Sequence, residues 1–291
     1  MEDATAPRLP PEIECMIFQI AARSTEPFAL ERINLLLVSK RTQHWIEPII
    51  YQIFMYHGNN PQSNPLKQAP PPVPPSKFHF IRHLFLAGVE DNQETFIRSM
   101  LLECCNITAL SLWAGQGANF VLNFILDGNL PSLKRLTINL HGVPKESLQR
   151  GLNSVTHLQL INLPPPGLCS FLTRCPNLTH LGFLSIVDIS PSTVTSILSS
   201  SLRPRLKVLN ITSFQPGDAV DTAKRERVDK YKELRVDDAR VVCLRQPVKT
   251  YAVESLNAAR GLGTGIWEFA EGIIQERTRK KVAKDAEEVQ L

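Results

Sequence analysis

Three histidines stand at the same place in three copies of one short apolar pattern: His83, His157 and His180. Imidazoles aligned in a column could ligate a metal or pass protons. A metal site needs such donors to converge within bonding distance, with further ligands beside them. Neighbouring strands lie ~4.8 Å apart. His157 and His180 belong to adjacent copies, but two copies stand between His83 and His157. The column is therefore read as a polar, mildly basic surface and not as a metal centre. The six cysteines, Cys15, Cys104, Cys105, Cys169, Cys175 and Cys243, form no CxxC pair and no zinc spacing, so they are read as reduced, buried or half-buried thiols. Gly261-Leu-Gly-Thr-Gly265 lacks the lysine and the strand–helix setting of a nucleotide loop and reads as a turn before a final helix. His79 and His83 have helical spacing, but the pair straddles the start of a strand. There is no GxSxG and no HExxH. No cofactor is expected, and the chain is read as a protein that is not an enzyme.

The pattern that carries the histidines is what must position them. Its six copies begin at Ile81, Ile107, Leu133, Val155, Leu178 and Leu206, so successive copies lie 26, 26, 22, 23 and 28 residues apart. Each reads apolar at the first, fourth and sixth places, as in Leu133-Lys-Arg-Leu136-Thr-Ile138. A repeat of this length that adds one strand and one helix per unit belongs to a solenoid, because one unit cannot bury its own apolar face and a stack can. Segments of helical period fall between the copies, over 92–103, 118–126, 145–152, 167–173 and 190–199. Side chains alternate along a strand, so the residues flanking the fourth position point away from the core to the concave face. They nominate Arg82, His83, Phe85, Ser111, Arg135, Thr137, His157, Gln159, His180 and Asn210 as a substrate-binding surface. Lys134 and Lys207 add to its positive charge, which suits an acidic or phosphorylated protein partner. The repeats are irregular: Gly115, His141, Leu163 and Ile186 stand where a leucine-rich repeat usually has Asn.

Composition bounds the remainder. With 43% hydrophobic residues among 291, most of the chain should fold. A net charge of +4 is too mild to point to nucleic acid. No apolar run reaches the length of a membrane span, and the first residues, Met1-Glu-Asp-Ala-Thr-Ala, lack a signal-peptide core. A cytoplasmic or nuclear protein is expected. Four regions follow: a helical module over 9–56, a linker over 57–77, the solenoid over 78–245, and a C-terminal helical cap with a polar tail over 246–291. Seven prolines between 59 and 76 favour an extended spacer. Helices are expected from about Leu9, over about Phe28–Val38, and from there through Trp45 to Phe54. Arg240–Leu244 could close the stack as one more strand. The stripe Ile266, Phe269, Ala270, Ile273, Ile274 marks the final helix, expected to cover the solenoid's open end.

In the first region Leu9-Pro10-Pro-Glu12-Ile13, then Ile17-Phe18, Leu36-Leu37-Val38-Ser39-Lys40-Arg41 and Trp45-Ile-Glu-Pro48 occur in order. This resembles an F-box, most of all the divergent F-box-like family of basidiomycete fungi. Together with Cys175-Pro-Asn-Leu178, the repeats behind it resemble those of F-box proteins with leucine-rich repeats. The resemblance implies an α/β fold: a three-helix F-box-like module followed by a short, irregular leucine-rich-repeat solenoid, a curved parallel sheet with helices outside. It implies a non-catalytic substrate adaptor of a cullin–RING ubiquitin ligase, docked on a Skp-type adaptor and the cullin scaffold behind it, with the repeats holding an unknown protein substrate. The adaptor-contacting residues would be Leu9, Pro10, Ile13, Ile17, Phe18, Leu37, Val38, Lys40 and Trp45. Two positions depart from the family pattern: Ser39 replaces the usual Cys, and the Trp that follows Lys-Arg is displaced to Trp45. The alternative is a repeat scaffold with a degenerate F-box and no ligase association.

Overall fold

The computed structural model describes residues 9–24, 33–57, 73–113, 118–139, 152–161, 168–185, 189–199, 204–213, 226–227, 238–245, 255, 258–259 and 265–289. Among them, nine strands form one sheet: β1 Ile53–His57, β2 His83–Ala87, β3 Ala109–Trp113, β4 Arg135–Asn139, β5 His157–Ile161, β6 His180–Ser185, β7 Val208–Ser213, β8 Glu226–Arg227 and β9 Val241–Arg245. Their order is β1-β2-β3-β4-β5-β6-β7-β9-β8. The first eight in that order are parallel, and β8 pairs antiparallel on β9.

The register of this sheet is the sequence repeat. Leu84, Leu110, Leu136, Leu158, Leu181 and Leu209 are successive partners across the strands, and Leu86, Leu112, Ile138, Leu160, Phe183 and Ile211 form the next row. All twelve are at most 2% exposed. A slip by one residue would turn both rows outward, so burial fixes the pairing. Between the strands run α3 Glu94–Glu103, α4 Ala118–Leu126, α5 Leu168–Leu172 and α6 Pro191–Ser199. They bury Ile97, Met100 and Leu101, Val121 and Phe124, Phe171 and Leu172, and Val194 and Ile197 against those rows in one continuous core. Gly128, at φ 82°, ends α4 with its amide on the Ile125 carbonyl, a left-handed position that suits glycine.

The N-terminal module contains α1 Pro11–Ser24, a single 3-10 turn at Leu35–Leu37 and α2 Lys40–Ile50. Pro11 supplies the first helical residue of α1, where a missing N–H costs nothing. Ser39 caps α2: its Oγ accepts the Thr42 amide at 3.0 Å. Ala22, Ile46 and Ile50 form a small core with Phe18, Leu36 and Trp45 against it.

Two expectations are corrected. The helical run anticipated through Phe54 stops at Ile50, and Ile53–His57 is β1, paired with β2 from Ile53↔His83 to His57↔Ala87. An apolar run of this length reads equally as helix or strand. Here alternation decides, because Phe54 enters the main core while Ile53 and Met55 pack on the other side with Phe85 and Ala259. The module boundary therefore runs into the sheet. The final helix, α7 Ile266–Val289, lies on the sheet face away from α3–α6 instead of across its open end. Of the expected helix at 145–152 only Leu152 is described, and of the linker expected over 57–77 only His57, which ends β1, and the residues from Val73, where Pro75–Phe80 forms a 3-10 helix.

Candidate functional site

The sheet face opposite the core carries the residues nominated as substrate-binding. Two rows line it: His83, Ala109, Arg135, His157, His180 and Val208, and Phe85, Ser111, Thr137, Gln159, Gly182 and Asn210. Arg82 and Lys207, just before their strands, are exposed. His83, Phe85, Ser111, Arg135 and His157 are half-buried, whereas Thr137, Gln159, His180 and Asn210 are buried, at 9, 2, 4 and 0% exposure. What covers them is α7.

The helix crosses the strands. Glu268 meets Arg135 on β4 at 2.7 Å, Glu271 meets His180 on β6 at 2.9 Å, and Arg277 donates to the Val241 carbonyl of β9 at 2.6 Å. Between these polar contacts Ile266, Trp267 and Ala270 are buried, with Phe269, Ile273 and Ile274 half-buried, against Leu184, Val208, Val242 and Leu244. Trp267 stands edge-on to both His157 and His180, with centroids 5.4 and 5.6 Å away, and those two imidazoles are stacked at 4.0 Å. Its ring tip fills the space above Gly182, where a β-carbon would meet Cη2 at 2.8 Å.

Hydrogen bonding fixes the imidazole of His180. A carboxylate accepts only, so Nε2–H of His180 donates to Glu271 and its Nδ1 takes the Thr179 hydroxyl at 2.8 Å. Burial lowers the pKa of His180 against the opposing pull of Glu271. Burial, aided by His180, Arg135 and Lys207, pushes His157 down to about 3. His83 is pushed down to about 4 by burial, Arg135 and Arg82. At neutral pH the column is thus uncharged, and its chemistry is donor, acceptor and flat ring surface. Among the described residues no group of three or more His, Cys, Asp or Glu side chains could hold a metal. Toward β2–β4 a shallow, open recess among the described residues lies between Phe85, Ser111, Thr137 and Gln159 on one side and Ala259, Ile266 and Trp267 on the other.

The residues nominated for adaptor contact lie at the other end of the chain. Leu9, Ile13, Ile17, Leu37 and Val38 are 40–79% exposed, and Met16 and Ile20 extend the patch. Pro10 and Lys40 are exposed as well. Phe18 and Trp45 turn inward to the small core of the module, Trp45 beneath the Arg41 guanidinium at 5.0 Å. Arg41 also pairs with Glu14, joining α2 to α1. Glu47, 9% exposed, accepts from Lys77 and Gln43, each at 2.8 Å, and so ties the module to the segment that enters the sheet. Burial alone would raise the Glu47 carboxyl, but those two hydrogen bonds and the Lys77 charge hold it below the usual value.

Sequence reasoning did not find Trp267, Glu268, Glu271, Arg277 or Gly182 as parts of one site. A signal existed: Val208 and Val242 are apolar in rows that carry mostly polar side chains in earlier copies, and Trp113, Ile161, Leu184 and Leu244 add apolar surface to the same face, which requires a cover. No helix among the described residues is long and apolar enough to cross a membrane. Compared with known protein families and with curated proteins, the chain matches none of either.

Proposed function

We propose that the chain is a non-catalytic substrate-recognition adaptor of a cullin–RING ubiquitin ligase: an F-box-like module docks on a Skp-type adaptor, and leucine-rich-repeat-like units hold a protein substrate. The observation that carries this reading is where the exposed large apolar residues fall. Leu9, Ile13, Met16, Ile17, Ile20, Leu37 and Val38 all lie on one small module, while Phe96, Leu102 and Val282 are the other such residues among those described. Exposed apolar residues gathered on one small module in this way mark a protein-docking surface, and Leu9, Ile13, Ile17, Leu37 and Val38 are among the residues that carry the F-box resemblance. The mechanism is proximity. One end is held on the ligase, the other holds the substrate, and no residue of the chain performs the transfer.

One observation favours the rival scaffold reading: Phe18 and Trp45, two of the expected contacts, are engaged inside the module. Affinity capture of a purified fungal Skp adaptor by the full chain, beside Ile17→Asp/Leu37→Asp, separates the two. Capture by the wild type that is lost in the folded variant is expected. No capture by either selects the scaffold.

A further inference from the structure

The cover on the sheet carries a statement about what else could sit there. α7 holds the face through Trp267 and a short apolar stripe of Ile266, Ala270, Phe269, Ile273 and Ile274, with carboxylates on Arg135 and His180 and Arg277 on two backbone carbonyls, the mixed apolar and polar contact that an amphipathic helix makes in a groove. The slot for the aromatic exists because residue 182 is glycine in a row where Thr137, Gln159 and Asn210 carry side chains. The Arg135–Glu268 pair is 41 and 40% exposed, and such pairs hold weakly and yield to competitors. Residues 278–286 of α7 are exposed, so only the first half of the helix is held. Asn210, fully buried in this face, donates to Thr212 at 3.2 Å, but its Oδ1 meets no donor among the described residues. A buried acceptor left so is costly, and an occupant with an N–H or O–H at that point would relieve it.

We propose that this face is the receptor for a partner's amphipathic helix, one that presents an aromatic anchor with carboxylates one and four positions further on, and that α7 is the chain's own occupant, exchanged for the partner. Helix-in-groove recognition through anchors at helical spacing is a general mode of binding. The basic groups Arg135, Lys207 and Arg82 select acidic helices over basic ones. This inference rests on the reading of the repeats as the substrate-holding part and narrows the substrate to acidic helical segments.

The test uses the full chain. By amide hydrogen exchange, residues 266–277 should exchange at least 100-fold faster than the core rows of β5 and β6, through opening of α7 alone. A fluorescein-labelled peptide copying residues 265–281 should bind a Trp267→Ala chain at least 10-fold more tightly than wild type. The same peptide with Trp267→Ala and Glu271→Lys changes should lose at least 10-fold. Should Trp267→Ala fail to fold, Glu268→Lys, which alters only a partly exposed side chain, takes its place. The proposal is overturned by α7 amides as slow as strand amides, or by equal peptide affinity for wild type and variant. A dimer with α7 exchanged between copies, seen by sedimentation, overturns it too, because the occupant would be a second copy. Adaptor capture by the N-terminal module is read separately. Capture without peptide binding discards only the partner's chemistry; peptide binding without capture discards the ligase reading.

Discussion

A methyl group on residue 182 would press on the Trp267 ring, with carbon atoms 2.8 Å apart. Gly182→Ala should therefore cost about 1–3 kcal/mol through overpacking and shift tryptophan emission to the red as the ring is displaced, readable by melting and fluorescence together. The histidine column predicts a pH dependence. Burial lowers His157 to about 3 and His83 to about 4, and lowers His180 as well. The unfolded chain takes up these protons near the ordinary value of ~6.5, so it binds more protons than the folded chain across the interval between. Stability from the neutral column is complete above ~6.5 and is lost as pH falls toward the folded values. Calorimetric Tm should drop from pH 7 to pH 4.5, with a shallower slope for His157→Gln; an unchanged slope would remove His157 from the account.

At the scale of elements, the strands were legible and the reason is geometric. Leucines at the fourth position of each copy became Cα partners across the sheet, because one phase of a two-residue alternation buries two full rows. Leu136→Asp should abolish cooperative melting, since a carboxylate would replace a side chain 1% exposed in the core centre. The helices at 118–126 and 191–199 were legible as segments of helical period between the copies. Strand β1 was not, because Ile53-Phe-Met-Tyr56 carries no phase until β2 is beside it. Helix α2 depends on the residue that caps it. Ser39→Ala removes the cap on Thr42 and should lower stability by about 1 kcal/mol, measured by urea titration.

At the scale of the molecule, legibility stops at contacts between distant parts. The placement of α7 brings Glu268 to Arg135, 133 residues away, and no periodicity within α7 names that strand. Its apolar stripe was legible; which surface the stripe would cover was not. The candidate face was legible as a set of positions, but its burial was not. The N-terminal patch behaves differently, because its apolar residues are exposed and contribute little to folding. Ile17→Asp/Leu37→Asp should leave stability within about 0.5 kcal/mol of wild type while altering association. A melting point that fell sharply would show that these side chains are structural.

The long separation of α7 from the strands it covers also sets an order of events during synthesis. Consecutive strands from β2 to β7 pair within one repeat length of each other, so the sheet can assemble as the chain emerges. Arg135 is joined to the chain 133 residues before Glu268, and at ~5–20 residues per second that is a wait of roughly 7–27 s. Over that interval the nascent sheet displays Trp113 and Ile161, and then Leu184 and Val208 once they are made, before the helix that packs on them exists. Each newly made copy passes once through a bare-faced stage on the ribosome, and a chaperone or a partner present there meets the site before the tail exists to compete for it.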